Sequence, residues 1–294
     1  MDISWEDARI FLAVAETGSF SAAARRLKLG QPTISRRIAD FEFRLGQVLF
    51  HRGRRGAELT PDGARLLPAA QQMARWAVEM ERAASQRGQQ PQGKVRLTAP
   101  PGVAHDFLVP FCVRFQRRNP RIKLELLSSI EYLDLNRGEA DLAIRQRPPS
   151  QRGLMLLRSL TTPVAAYAAP DYVQSLPHGY GLADVDWIGW AAPYDHLPPG
   201  PQLAALIPDF EFAFTTDSHL LQQRACALGQ GAMFMAQLER PWLPTAALTR
   251  LELPELPPLS NTVHLVCPSN ARYIPRVRVV IDGLMALYDD VEQG

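Results

Sequence analysis

Between Ser85 and Gly93 the chain reads SQRGQQPQG, a polar stretch punctuated by Gly and Pro and almost free of apolar side chains. A segment with so little to bury behaves as a linker, so the chain must fold as separate parts on either side of it. Upstream, apolar residues recur at helical spacing. Downstream, short β-branched runs alternate with helical stretches, the pattern of an α/β domain with parallel strands. The 294 residues give room for two or three domains, and 46% hydrophobic residues are enough for real cores. No stretch approaches the ~18 apolar residues of a membrane span. The opening residues carry acidic groups where a signal peptide needs basic ones, so a cytoplasmic location is expected. Cys112, Cys226 and Cys267 are scattered, without a CxxC or zinc spacing. Reduced, buried thiols are the expectation, with redox sensing as the competing reading.

Charge is unevenly placed. The whole chain is nearly balanced, 32 basic against 30 acidic residues, yet residues 20–60 hold nine basic and three acidic ones. That end suits a polyanion. Ser4 and Asp7 form a capping-box pattern ahead of a helix carrying Ala8, Phe11, Leu12 and Ala15, which Gly18 should stop. Ser19 then caps a second short helix, FSAAARRL, whose alanines allow a close crossing. Gly30 precedes a third, with Pro32 in its first turn, where a missing N–H costs nothing. Ile34, Ile38, Phe41 and Leu45 mark its buried face. Gln31, Thr33, Ser35, Arg36 and Arg37 are left facing outward. Two short helices so arranged make a helix-turn-helix, whose second helix can enter the ~12 Å wide major groove. The following VLFHR, GRRG and AELT read as a hairpin, a wing tipped by Arg52, Arg54 and Arg55. Ser21, Gln31, Pro32, Thr33, Ser35, Arg36 and Arg37, with the three wing arginines, are the candidate DNA contacts. Thr60-Pro61 starts a long helix to about Ala84. Along it Leu66, Ala70, Met73, Ala77, Met80 and Ala84 alternate four and three apart, a seam that calls for a second helix and hence a dimer.

The run GSFSAAARRLKLGQPTISRRIADFEFRLGQVLFHR, followed by GAELTPDGARLL, resembles the signature of LysR-type transcriptional regulators. VRLTAP, LVPFCVRFQRRNPRIKLEL, GEADLAIR, AAYAAPDYV and ALGQGAMFM follow in the family's order, so the likeness covers the whole chain. It implies an N-terminal winged helix-turn-helix with a long linker helix, then a two-lobed α/β effector domain resembling periplasmic binding proteins. It also implies dimers and tetramers on promoter DNA, with RNA polymerase a candidate further partner. The expected boundaries are 1–60 for the winged helix-turn-helix, 61–93 for the linker helix and hinge, and 94–294 for the effector domain. Its first lobe should span about 94–159 and 267–294, its second about 160–266. Gly30 departs from the family's usual hydroxyl residue before Gln-Pro, and Phe41 from a position more often aliphatic. The segment after Ser129 is short, so any helix there must be brief.

In the effector half, strands are expected at Lys94–Ala99, Ile122–Leu127, Leu142–Arg145, Thr162–Ala169, Trp187–Trp190, Phe210–Thr215 and Ala232–Met235, with a return near Val266–Pro268. A helix should follow Pro100-Pro101-Gly102 to about Arg117. Ligands of open α/β sheets bind beyond the carboxyl ends of strands. Thr98, Pro100, Gly102, Ser128, Ser129 and Arg145 are therefore candidate effector contacts, with Ile188, Trp190, Thr215 and Thr216 from the second lobe. Arg145 among hydroxyls suggests a small organic anion. The six histidines stand apart, without HExxH, GxSxG or GxGxxG, so no catalysis, metal or cofactor is expected. The alternatives are a small-molecule-binding or enzymatic α/β protein with an N-terminal oligomerisation module, and a thiol-based redox-sensing regulator.

Overall fold

The computed structural model describes residues 3–53, 56–85, 90–238 and 243–293. The chain divides into two compact units, Met1–Gln90 and Pro91–Gly294. In the first, α1 (Trp5–Thr17) begins at the expected capping box. The Ser4 hydroxyl accepts from the Asp7 N–H at 3.2 Å, and the Asp7 carboxylate accepts from the Ser4 N–H at 3.1 Å. Gly18 ends α1 in the left-handed region. Helix α2 (Phe20–Leu27) is capped by the Ser19 hydroxyl. Helix α3 (Gln31–Leu45) starts at Gly30 without a side-chain cap, carries Pro32 in its first turn and ends at Gly46. Strands β1 (Phe50–Gly53) and β2 (Gly56–Leu59) pair antiparallel, Phe50 opposite Leu59. Gly56 is required here: the Ala57 N–H reaches the Gly18 carbonyl at 2.8 Å, and a Cβ on residue 56 would lie 2.3 Å from that oxygen.

The long helix α4 (Pro61–Ser85) is launched by Thr60, whose hydroxyl accepts from the Gly63 N–H at 3.0 Å and donates to the Val48 carbonyl. Phe11, Val14, Ala23, Ile34, Ile38 and Phe41 close the core of this unit, and Ala70 of α4 joins them. The three helices therefore bury the faces that their spacing marked, and the small side chains of α2 let α1 and α3 approach it closely.

The second unit is a two-lobed mixed α/β fold. After β3 (Gly93–Ala99) the chain turns through a short helix α5 (Pro101–Val103), a π-helical segment Ala104–Leu108 and α6 (Val109–Arg118). Strands β4 (Ile122–Ser128) and β5 (Leu142–Arg145) flank β3, both parallel to it. Turns, not the brief helix expected, fill most of the stretch between β4 and β5. β6 (Leu154–Ala168) is followed by α7 (Pro170–Ser175), β7 (Ile188–Trp190), α8 (Gly200–Leu206), β8 (Phe214–Thr216) and α9 (His219–Ala227). Then come β9 (Met233–Ala236), β10 (Thr249–Arg250), β11 (Leu259–Pro268) and α10 (Pro275–Gln293).

β6 and β11 are the correction to the strand reading: β6 starts eight residues before Thr162, and β11 starts at Leu259 instead of near Val266. They run antiparallel to each other along the length of β11, with a bulge at Leu265/Val266. β11 pairs with β5 on its other side, and β6 with β9 and β10. Two long paired strands thus join the β3–β4–β5 end of the sheet to its β9–β10 end, while β7 and β8 form a separate parallel pair.

Candidate functional site

On α3, burial of Ile34, Ile38 and Phe41 turns Gln31, Pro32, Arg36 and Arg37 fully outward and leaves Thr33 and Ser35 half-buried. Ser21 is exposed on α2. Arg52 lies on β1, whereas Arg54 and Arg55 lie outside the described residues. The orientation of α3 is secured from α1: the Arg44 guanidinium meets the Asp7 carboxylate at 2.6 Å, and Asp7 is only 6% exposed. Burial works to raise the Asp7 carboxyl, but hydrogen bonds from Ser4 and Arg44 outweigh it and hold the group below its usual range. The sequence reading passed over Phe43, which is 87% exposed on the same helix.

The long helix divides its seam. Leu66, Ala70 and Met73 pack on the unit's own core. Ala77 is half-buried, and Met80 and Ala84 are exposed. The C-terminal half of α4 is therefore the portion that the unit's own core leaves uncovered.

In the second unit a cavity of about 540 Å3 lies over the paired strands β6 and β11, in the usual size range for a small-molecule pocket. Its floor includes Leu160, Thr162, Val164, Asn261 and Val263. Pro100, Gly102, Phe107, Ile144 and Tyr288 also line it, as do Ile188, Trp190, Met233, Met235 and His219. Trp190 stacks on the His219 ring at 6.3 Å and donates its indole N–H to the Pro198 carbonyl at 3.1 Å. Burial lowers the His219 pKa, against the pull of the Asp106 carboxylate, and the nearby His105 lowers it further. Asp106 also contacts His105 Nδ1 at 2.7 Å and accepts from the Gln223 amide at 3.1 Å, tying the helix after β3 to α9. Gln222 donates to the Gly189 carbonyl at 2.9 Å.

Of the candidate effector contacts, the structure brings Pro100, Gly102, Ile188 and Trp190 to this cavity. Thr98, Ser128, Ser129, Arg145, Thr215 and Thr216 are not on its wall. Arg145 is the instructive miss. Side chains alternate along a strand, and within β5 Ile144 lines the cavity, so Arg145 beside it points the other way. There its guanidinium lies 4.9 Å from the centre of the Tyr132 ring and donates to the Leu133 carbonyl at 2.6 Å. Thr98 is buried within β3, Ser128 ends β4 in solvent, and the Ser129 N–H is taken by the Ala99 carbonyl at 3.1 Å. Thr215 is exposed, and the Thr216 hydroxyl accepts from the Ser218 N–H at 3.3 Å. Arg147, two residues beyond Arg145, is the cation on the cavity wall among the described residues. Gln202, Gln222, Asn261 and Tyr288 are polar lining residues that sequence reasoning missed.

Burial pushes all three thiols up to a pKa of about 11, which disfavours the reactive thiolate. Among the described residues no three or more His, Cys, Asp or Glu side chains gather as a metal site, and no helix is long and apolar enough to cross a membrane.

The sequence matches the family described as bacterial regulatory helix-turn-helix protein, lysR family, over residues 5–64, and the LysR substrate binding domain over residues 88–288. It is 39% identical over 170 residues to an HTH-type transcriptional regulator of Xanthomonas campestris pv. campestris, covering 57% of this chain and 49% of that one. The chain thus spans about half the length of that curated relative. Its fold is similar to that of CrgA, a LysR-type transcriptional regulator from Neisseria meningitidis, with a TM-score of 0.55 and 24% identity over 99% of both chains. It is also similar to full-length CbnR complexed with target DNA, with a TM-score of 0.57 and 16% identity over 97% of this chain and 100% of that one. With a winged helix-turn-helix followed by a two-lobed domain, and with the two family descriptions together matching nearly its whole length, the chain belongs to the LysR family of transcriptional regulators.

Proposed function

We propose that this regulator binds promoter DNA through α3 and the wing, dimerises through the C-terminal half of α4, and responds to a small organic molecule held in the cavity above β6 and β11. The single observation that carries the DNA reading is the division of α3 into two faces. Ile34, Ile38 and Phe41 are buried, and Gln31, Arg36 and Arg37 are exposed together. Gln pairs bidentately with adenine and Arg with guanine, so this row has the chemistry to read base edges. CbnR, a fold relative, is recorded with its target DNA. Tetramers and contact with RNA polymerase belong to the same proposal as later steps on the promoter.

The effector is proposed to lie between Trp190 and the Pro100–Gly102 turn. Binding there shifts the arrangement of the lobes only if the effector favours one arrangement over another. Arg145 carries no part of this reading, and Arg147 takes its place as the cation available to an anionic group. The test is competition between a candidate promoter fragment and random DNA, with wild type and Arg36→Ala. Loss of discrimination in the variant supports the groove assignment, and an intact specificity ratio overturns it.

A further inference from the structure

The cavity wall carries one carboxylate and one guanidinium. Asp106 lies in the π-helical segment Ala104–Leu108, a wide turn of the kind that recurs at functional sites. With Gly102, Val103 and Phe107 it lines the cavity, and its side chain is 14% exposed. Its carboxylate accepts from the Gln223 amide at 3.1 Å and contacts His105 Nδ1 at 2.7 Å, and no Lys or Arg meets it among the described residues. A carboxylate has about four lone-pair sites, so acceptor capacity is left over. His219 is also on the wall, but burial holds its pKa below the ordinary value, so at neutral pH the ring brings no positive charge. Arg147 is exposed, and no carboxylate meets its guanidinium among the described residues. Trp190, whose indole N–H is engaged by the Pro198 carbonyl, offers a ligand its ring and not a hydrogen bond.

A ligand that fills this cavity strips water from Asp106. A simple organic acid would meet Arg147 but leave Asp106 desolvated without a cation, which is costly. An ammonium group removes that cost by donating a charge-assisted hydrogen bond to the Asp106 carboxylate. The guanidinium of Arg147 then remains for a carboxylate on the same ligand.

We propose that the effector is a zwitterion on an apolar body, its ammonium held by Asp106, its carboxylate by Arg147 and its body against Trp190. This rests on the cavity being the effector site. It deepens that reading by naming both charged groups of the ligand and the residue that selects the ammonium.

The test uses the full chain in thermal-shift and calorimetric titrations, on wild type, Asp106→Asn, Arg147→Ala and Trp190→Ala. The zwitterions are L-phenylalanine and 4-(aminomethyl)benzoate, which set the two charges at short and long separation. They are compared with 3-phenylpropionate, which lacks the ammonium, and 2-phenylethylamine, which lacks the carboxylate. At least one zwitterion should bind wild type more tightly than either singly charged analogue, and bind Asp106→Asn about 10- to 100-fold more weakly, the worth of a hydrogen bond between charged groups. Asp106→Asn keeps an oxygen for the Gln223 amide, so it should bind 3-phenylpropionate no more weakly than wild type, which separates loss of the ammonium contact from damage to the cavity. The proposal falls if neither zwitterion stabilises wild type, if either analogue binds as tightly as the better zwitterion, or if Asp106→Asn binds that zwitterion as tightly as wild type. Binding of 3-phenylpropionate that is lost in Trp190→Ala and Arg147→Ala but unchanged in Asp106→Asn, with no zwitterion bound, would sink this proposal while leaving the cavity assignment intact. Promoter binding without ligand, measured on the same samples, reports on the regulator reading separately.

Discussion

Replacing Asp7 by Ala should loosen α3 within the winged unit without touching Gln31, Arg36 or Arg37. The carboxylate serves two partners: it closes the capping box on the Ser4 N–H at 3.1 Å and meets Arg44 of α3 at 2.6 Å. Loss of the reciprocal hydrogen bond from the Ser4 N–H, with the Ser4 cap itself left in place, costs about 1 kcal/mol. The ion pair adds at most about 1 kcal/mol, since the Arg44 side chain is 45% exposed and solvent screens it. Together they give about 2 kcal/mol, or roughly a 30-fold rise in local opening. Hydrogen exchange of the full chain read by mass spectrometry should show that acceleration in peptides of α1 and α3 and no change beyond Pro91. Arg44→Ala, which removes only the exposed partner, should accelerate exchange less than fivefold by the same ~1 kcal/mol bound. Because the folded carboxyl is held below its unfolded value of about 3.9, this stabilisation is present above that value and is lost as pH falls through the lower folded value. Equal effects of the two substitutions, or no acceleration in Asp7→Ala, would refute the reasoning.

Gln31→Ala should narrow the preference for operator over random DNA by about 1–3 kcal/mol, measured by competition binding; an unchanged ratio would remove Gln31 from the base contacts. Ala77→Glu should place like charges against each other in the free half of the α4 seam and dissociate dimers in sedimentation. An unaltered oligomer would mean that α4 does not hold the protomers together. Replacing Cys112, Cys226 and Cys267 by Ser or Ala together should leave promoter binding insensitive to peroxide, as in wild type, because burial holds all three thiols near a pKa of about 11. A peroxide response lost in the triple variant would restore the redox reading.

The winged unit was legible because its signals are local. Ser4, Gly18, Ser19, Gly30, Pro32 and Thr60 each sit at a helix end and act within a few residues, and the i, i+3, i+4 rows of α1 and α3 are the rows that are buried. The cavity is only half legible because its walls come from distant parts of the chain. Pro100 and Gly102 follow a strand end, as expected, but the floor comes from β6 and β11, whose crossing lengths were underestimated. Tyr288 lies 188 positions after Pro100, and nothing in the helical spacing of α10 singles it out. Arg145 ends β5 as expected, but the parity of that strand puts its side chain on the face opposite Ile144, against Tyr132 and Leu133. Phe43 shows the converse limit, since an apolar residue on the outer face of α3 breaks the amphipathic pattern without saying what it meets.

The central claim is that this chain reads promoter DNA through α3, and the most direct measurement is the affinity of the full chain for DNA immediately upstream of its own coding sequence, compared with random DNA, across ~50 to 200 mM salt. A discrete footprint is expected, with a clear preference for the upstream fragment and an affinity that falls linearly on logarithmic axes by counterion release, about 10³-fold or more for six or more phosphate contacts. Binding that ignores salt, or that prefers neither fragment at any salt concentration, would contradict it.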